Sequence, residues 1–212
     1  MSEAVRHPIF ARFFHFLSRR EELAGQREFR REALAGLSGR VVELGAGNGL
    51  NFEHYPETVT EVIAVEPEPF LRERAAEAAK KVPVPIRVVA GSAESLPLED
   101  ESCDGAVASL VLCSVPDQTV ALSELRRVLR PGGELRFYEH VVSKHPRFAR
   151  FQRAADATLW PLFAGGCHCA RDTLGAIESA GFVVDRYRRF GFRATLLVAP
   201  ATPRVLGVAR RS

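Results

Sequence analysis

Lysine is almost missing from this sequence: Lys80, Lys81 and Lys144 are the only ones, and the other basic residues are arginines scattered along the chain. No basic run stands out, and a net charge of +3 over 212 residues is too small an excess to mark a nucleic-acid-binding surface. Cysteine is scarce as well. Cys103, Cys113, Cys167 and Cys169 are too few and too unevenly spaced for a disulfide framework, so a reducing compartment, the cytoplasm, is the expected location. Long apolar runs are also lacking. The stretch 9–17 carries Arg12 and His15 and falls far short of the roughly 20 residues that span a bilayer, so no transmembrane segment is expected. Neither a signal peptide, an internal repeat nor a low-complexity tract is visible.

What is present is an ordinary globular composition, 46% hydrophobic, long enough for one α/β core with a modest appendage. Residues 1–38 read as a helical cap, with Phe10, Phe13, Phe14 and Leu17 at helical spacing and a Ser-Gly stop at its end. From 39 to 212 the pattern changes to short β-branched runs alternating with amphipathic helices. Strands are expected at 40–44, 61–66, 86–90, 104–110 and 134–140, and helices at 70–81 and 119–129, with a short one following the first strand. Such alternation implies a parallel sheet covered on both faces, whose ligands bind beyond the carboxyl ends of the strands. Farther on, helices are expected at 146–160 and 172–180 and a strand at 182–190. A closing strand is expected at 205–209, with 195–199 as the competing segment and 191–203 otherwise a long apolar loop.

The first strand runs into ELGAGNG, which places Gly45, Gly47 and Gly49 in a strand-turn-helix loop where backbone can approach a ligand closely. A dinucleotide fingerprint needs its third glycine where Leu50 stands, which counts against a nicotinamide oxidoreductase. Glu43, two residues before the first glycine, would repel a phosphate and attract an ammonium. Glu66 ends the second strand, placed to accept hydrogen bonds from both hydroxyls of a ribose. An amino-acid moiety, a ribose and no phosphate together describe S-adenosylmethionine.

The set ELGAGNG, AVEPEP, GSAESLPLEDESCDGAV, SLVL and ELRRVLRPGGELRFYEH, spanning 40 to about 141, resembles the class I S-adenosylmethionine-dependent methyltransferases. That resemblance implies an α/β, Rossmann-like seven-stranded sheet of order 3-2-1-4-5-7-6 with strand seven antiparallel, and an N-terminal helical lid. It implies that Gly45, Ala46, Gly47 and Gly49 wrap the methionine end. Glu43 would meet the ammonium through water or backbone, Glu66 and Pro67 would lie at the ribose, and Leu110 would face the sulfonium with its backbone. Ser92 and Ala93 stand where such enzymes usually have Asp-Ala reading the adenine; Ser92 can still accept from the adenine amino group, and Glu94 is a possible substitute for the missing acid.

A narrower resemblance covers LVLCSVPD, YEHV and WPLFAGGCHCARDTLGAIESAGF, across roughly 105–182. These phrases are similar to the small methyltransferases related to the mammalian microsomal alkyl-thiol methyltransferases and their soluble bacterial relatives. It implies S-methylation of a small lipophilic thiol, with N-, O- or C-methylation of a lipid amine, quinone or secondary metabolite as the alternative. A catalytically silent cofactor-binding module is the alternative from another class. A thiol of pKa near 8.5 needs little or no base, whereas an aliphatic hydroxyl needs one. His140, at the end of the fifth strand, is the candidate general base, with Glu139 expected on the opposite face. Phe13, Phe14, Cys113, Trp160 and His168 are expected at the acceptor pocket, Phe151 and Phe163 adding to its apolar wall. Phe10, Phe13 and Phe14 could also give weak peripheral membrane contact, though a lid over the cofactor is the preferred reading.

GGCHCARD, residues 165–172, poses a metal question. Cys167 and Cys169 are separated by one residue, not the two to four of a structural zinc pair, and no second pair follows. No metal is therefore expected, and the cysteines are read as small apolar lining. A three-sulfur site from Cys113, Cys167 and Cys169, suited to a soft ion, is the minor alternative.

Overall fold

The computed structural model describes residues 8–193 and 199–212, without the side chains of 8–10. Seven strands form one sheet: β1 (Gly39–Leu44), β2 (Val59–Val65), β3 (Ile86–Val89), β4 (Cys103–Ser109), β5 (Leu129–His140), β6 (Phe182–Gly191) and β7 (Pro203–Arg211). Their order is 3-2-1-4-5-7-6, with β7 antiparallel to both β5 and β6 and the other pairings parallel. The expected topology is therefore observed, including the closing strand around 205–209. Of the competing segment 195–199, only Ala199 lies within the described residues.

The period-2 alternation of the central strands feeds two cores. Val42, Leu44, Ile63, Val65, Ala106 and Ala108 face α4 (Gln118–Val128) through Leu122 and Leu125. Val41, Val62, Ala64 and Val107 face Leu34, Leu37, Phe52 and Ala75 on the other side. Fully burying one such aliphatic side chain contributes roughly 1.5–3 kcal/mol, so these strands are held on both faces. Local signals set the helix starts. Glu68 accepts from Leu71 N at 2.8 Å before α3 (Pro69–Ala79), Asp117 accepts from Thr119 N at 2.7 Å before α4, and Asp172 accepts from Gly175 N before α7 (Thr173–Ser179).

Two expectations are corrected. The glycine loop does not open an α-helix: left-handed Gly45, Gly47 and Gly49, at alternate positions, and Pro56 leave only a 3-10 turn at Phe52–His54. The helix expected over 146–160 stops at Asp156 and resumes as a single turn, because Pro161 needs a helix start; the two pieces are α5 (Pro146–Asp156) and α6 (Trp160–Phe163). The cap is two helices, α1 (Pro8–Glu21) and α2 (Arg27–Leu34), joined by a π-type turn at Glu22–Gln26 in which Gly25 takes φ 107°.

Candidate active site

The carboxyl ends of β1 and β4 and the underside of the cap enclose a cleft. Glu43, Gly45, Ala46, Gly47, Asn48 and Asn51 line it from the β1 side, Ser109 and Leu110 from β4, and Phe14, Ser18, Gln26 and Arg30 from the cap. Of the expected cofactor residues, the fold brings Glu43, Gly45, Ala46, Gly47 and Leu110 to this wall, with Glu66 directly behind the loop.

The loop is shaped by backbone that only glycine adopts cheaply. Gly49 has φ 82°, and a Cβ there would meet the Phe52 ring at 2.8 Å and Ala78 at 2.9 Å. Gly47 has φ 57° and donates its N–H to Glu66 Oε2 at 2.7 Å. Glu66 Oε1 accepts from Glu68 N at 2.9 Å, so the carboxylate fixes both the glycine turn and the start of the next segment. Burial raises its pKa while the two amides pull it back. Each oxygen retains a lone pair beyond these bonds, which suits a ribose diol.

Glu43 is buried, accepting from Asn51 Nδ2 at 2.8 Å and Tyr55 OH at 2.7 Å. Burial pushes its carboxyl up to about 7, although Tyr55, Asn51 and then the Arg30 guanidinium lower it. Arg30, from α2, is itself buried and spans the cleft to Glu22 Oε1 (2.6 Å), Asn51 Oδ1 and Ser109 Oγ (both 3.0 Å). A buried cation from the cap and a buried carboxyl from β1, both lining the cleft, complement a zwitterionic amino-acid group. The cap is latched by Asn48, whose Nδ2 lies 3.0 Å from His15 Nδ1 and 3.1 Å from Ser18 Oγ. Neither Arg30 nor Asn48 was recognisable beforehand as a site residue, since each resembles an ordinary surface residue in sequence.

Leu110 has φ 57°, an uncommon left-handed conformation outside glycine, held by its N–H on Tyr138 O at 2.6 Å. Gly49, Pro67, Ser92 and Ala93 do not line this cleft. Gly49 packs beneath the turn, Pro67 O accepts from Arg72, and Ser92 bridges to Ser95 beside buried Ala93. Glu94 Oε1 is buried there with no hydrogen-bond partner among the described residues.

On the acceptor side, Glu139 is fully buried, and it curls over the strand end to accept from the N–H groups of Val111 (2.9 Å), Leu112 (2.9 Å) and Cys113 (3.2 Å). It thus builds the loop that follows β4. His140 Nδ1 lies 3.4 Å from both Cys113 Sγ and Cys167 Sγ, and its Nε2 is buried with no hydrogen-bond partner among the described residues. The hydrogen bond from Cys113, helped by His140, holds the Cys167 thiol below its usual range, and Cys113 is pushed up in turn. Trp160 and Ala164 pack on these cysteines. Cys169 is turned the other way, its Sγ on Asp156 Oδ1 at 3.1 Å. His168 is latched through Nδ1 to Gly166 O and through its N–H to Cys113 O, both at 2.7 Å. Phe14 lines the cleft, whereas Phe13, Phe151 and Phe163 are largely exposed, so the expected apolar wall reduces to Trp160 and its neighbours.

A sheet of this order with a left-handed glycine turn and acids at the ends of β1 and β2 defines a class I methyltransferase. The cofactor of that class is S-adenosyl-L-methionine, and Glu43, Arg30, the glycine turn and Glu66 fit its amino-acid and ribose parts. Residues 42–137 match a family model described as a methyltransferase domain. Over 184 residues the chain is 35% identical to the human thiol S-methyltransferase TMT1B, covering 84% of this chain and 74% of that protein. The mouse TMT1B is 39% identical over 155 residues, 70% of this chain and 63% of the mouse protein. In fold, a SAM-dependent methyltransferase from Thermotoga maritima superimposes with TM-score 0.68 at 24% identity, covering 96% of this chain and 98% of that one. The chain belongs to the TMT1 family of thiol S-methyltransferases.

Proposed function

We propose that the protein methylates the sulfur of a small lipophilic thiol and does so in the cytoplasm. The carrying observation is that, among the described residues, the acceptor-side carboxylates Glu139 and Asp156 are already engaged by backbone amides. Both Glu139 oxygens are committed to backbone amides, and His140 offers Nδ1 to two thiols while Nε2 is buried. An acceptor that ionises near neutrality suits such a site; an alcohol does not. Relatives named thiol S-methyltransferases support the same reading. A lipophilic acceptor fits the Trp160 packing and the exposed Leu159, Leu162 and Phe163 beside it. No helix among the described residues is long and apolar enough to cross a membrane.

When bound, the cofactor supplies a methyl group on a sulfonium sulfur. The chain's part is to hold the amino-acid end between Glu43 and Arg30, fix the ribose on Glu66, and exclude water with the cap. The test is incubation of the purified protein with S-adenosylmethionine and a panel of alkyl thiols, amines and phenols, following S-adenosylhomocysteine release. Turnover on thiols is expected; turnover confined to amines or phenols, or tight binding without turnover, rejects the proposal. Glu66→Ala is expected to weaken S-adenosylhomocysteine binding by about 1.5–3 kcal/mol, the scale of charge-assisted hydrogen bonds. An unchanged dissociation constant by calorimetry removes Glu66 from the ribose site.

A further inference from the structure

Three segments far apart in sequence converge beyond the cleft: the loop after β4 with Cys113, the end of β5 with His140, and the loop after α6 with Cys167. Their Sγ, Nδ1 and Sγ atoms all lie within 4.8 Å of one another. We propose that Cys113, Cys167 and His140 bind a soft d10 divalent cation of the zinc class, leaving one coordination position for the sulfur of the acceptor. The identity of that fourth ligand rests on the thiol reading above; the three protein ligands do not.

The spacing of the three ligand atoms suits a metal ion. Zinc bonds of about 2.3 Å to sulfur and 2.0–2.1 Å to nitrogen, at tetrahedral angles, give N···S edges of roughly 3.5 Å. Both observed N···S separations are 3.4 Å. Cys113 and Cys167 are buried free thiols, 1% and 4% exposed. The two loops are pressed together: His168 N–H donates to Cys113 O at 2.7 Å, and a Cβ on Gly166 would meet Ser114 O at 2.9 Å. That close approach explains why the GGCHC segment needs a glycine there. Cys169 is excluded by its bond to Asp156, and Glu139 is occupied by three amides, so neither supplies a fourth ligand.

A site with three protein ligands and one open position is the arrangement of a working zinc, whereas a structural site is closed by four. Two thiolates neutralise a divalent cation, so a thiol entering the open position gives its proton to solvent and remains a nucleophilic sulfur. The position is apt: Cys113 stands three residues past Leu110, which lines the cofactor cleft.

The test uses the purified full chain titrated with Co2+, read by thiolate-to-metal charge-transfer absorption, alongside elemental analysis of the protein as isolated. One equivalent is expected to produce the band and Zn2+ to abolish it. Cys113→Ser, Cys167→Ser and His140→Ala should each weaken binding by at least about 100-fold, with thermal melts confirming folding, while Cys103→Ser retains it. Hexanethiol should shift the cobalt ligand-field bands. No band at stoichiometric Co2+, or an equal band in two folded variants of the trio, overturns the site. A band that hexanethiol leaves unmoved overturns the open position. Methyl transfer to hexanethiol is measured on the same samples: full activity in metal-free protein rejects the metal while leaving the thiol reading intact, and absent thiol turnover in metal-loaded protein rejects the thiol reading.

Discussion

Replacing Glu139 by alanine is expected to lower the melting temperature by roughly 10 °C and to abolish acceptor methylation. The carboxylate is fully buried and accepts three backbone N–H bonds from Val111, Leu112 and Cys113. Burial raises its pKa, and the three amides oppose that rise because they bond best to the charged form. Alanine leaves three donors without a partner, each costing about 1–3 kcal/mol, and part of that is recovered if the loop moves or water enters. A net loss of about 3–5 kcal/mol at some 2–4 °C per kcal/mol for a domain of this size gives the stated shift. Function is lost with it, because the same loop carries Cys113. Hydrogen exchange locates the effect: the amides of 111–113 should lose protection before the rest of β4. A melt within 2 °C of wild type, with those amides still protected, would show that the loop is held by something else.

Glu139 also illustrates where sequence reasoning stops. Period-2 alternation placed it opposite His140, which is correct for a continuing strand, but β5 ends there and a long side chain at a strand end can curl over the edge. The central strands and the acids at the ends of β1 and β2 were legible because local alternation and a local glycine turn encode them, whereas the sheet order followed from the family resemblance. Arg30 was not, since one buried arginine in an arginine-rich helix has the same local pattern as its solvated neighbours Arg27 and Arg31. The acceptor cluster was half legible. Proximity in sequence grouped Cys167 with Cys169, while the fold sends Cys169 to Asp156 and brings His140 in its place. Pairings made across loops after α6 and β4 have no periodic signature, so only the three-dimensional arrangement reveals them.

Glu43 should make both stability and cofactor affinity depend on pH, in opposite directions. Its carboxyl is raised to about 7 in the folded chain from a usual value of 4.5. Between those values the folded state binds more protons at this group than the unfolded state, so stability falls as pH rises through the window. The full span corresponds to about 3 kcal/mol, complete above pH 7. An ammonium placed beside the carboxylate favours the charged form. S-adenosylhomocysteine should therefore bind roughly 10-fold more tightly at pH 8 than at pH 5.5, releasing a proton at the lower pH. Glu43→Gln mimics the protonated carboxyl, and the Tyr55 hydroxyl can rotate to accept from the new amide. The variant should lose Glu43's downward contribution to stability across pH 4.5–7, bind the ligand more weakly at pH 8, and lose most of the affinity's pH dependence. Calorimetry in buffers of differing ionisation enthalpy reads the proton directly, and identical proton release in wild type and variant would assign the titration to another group.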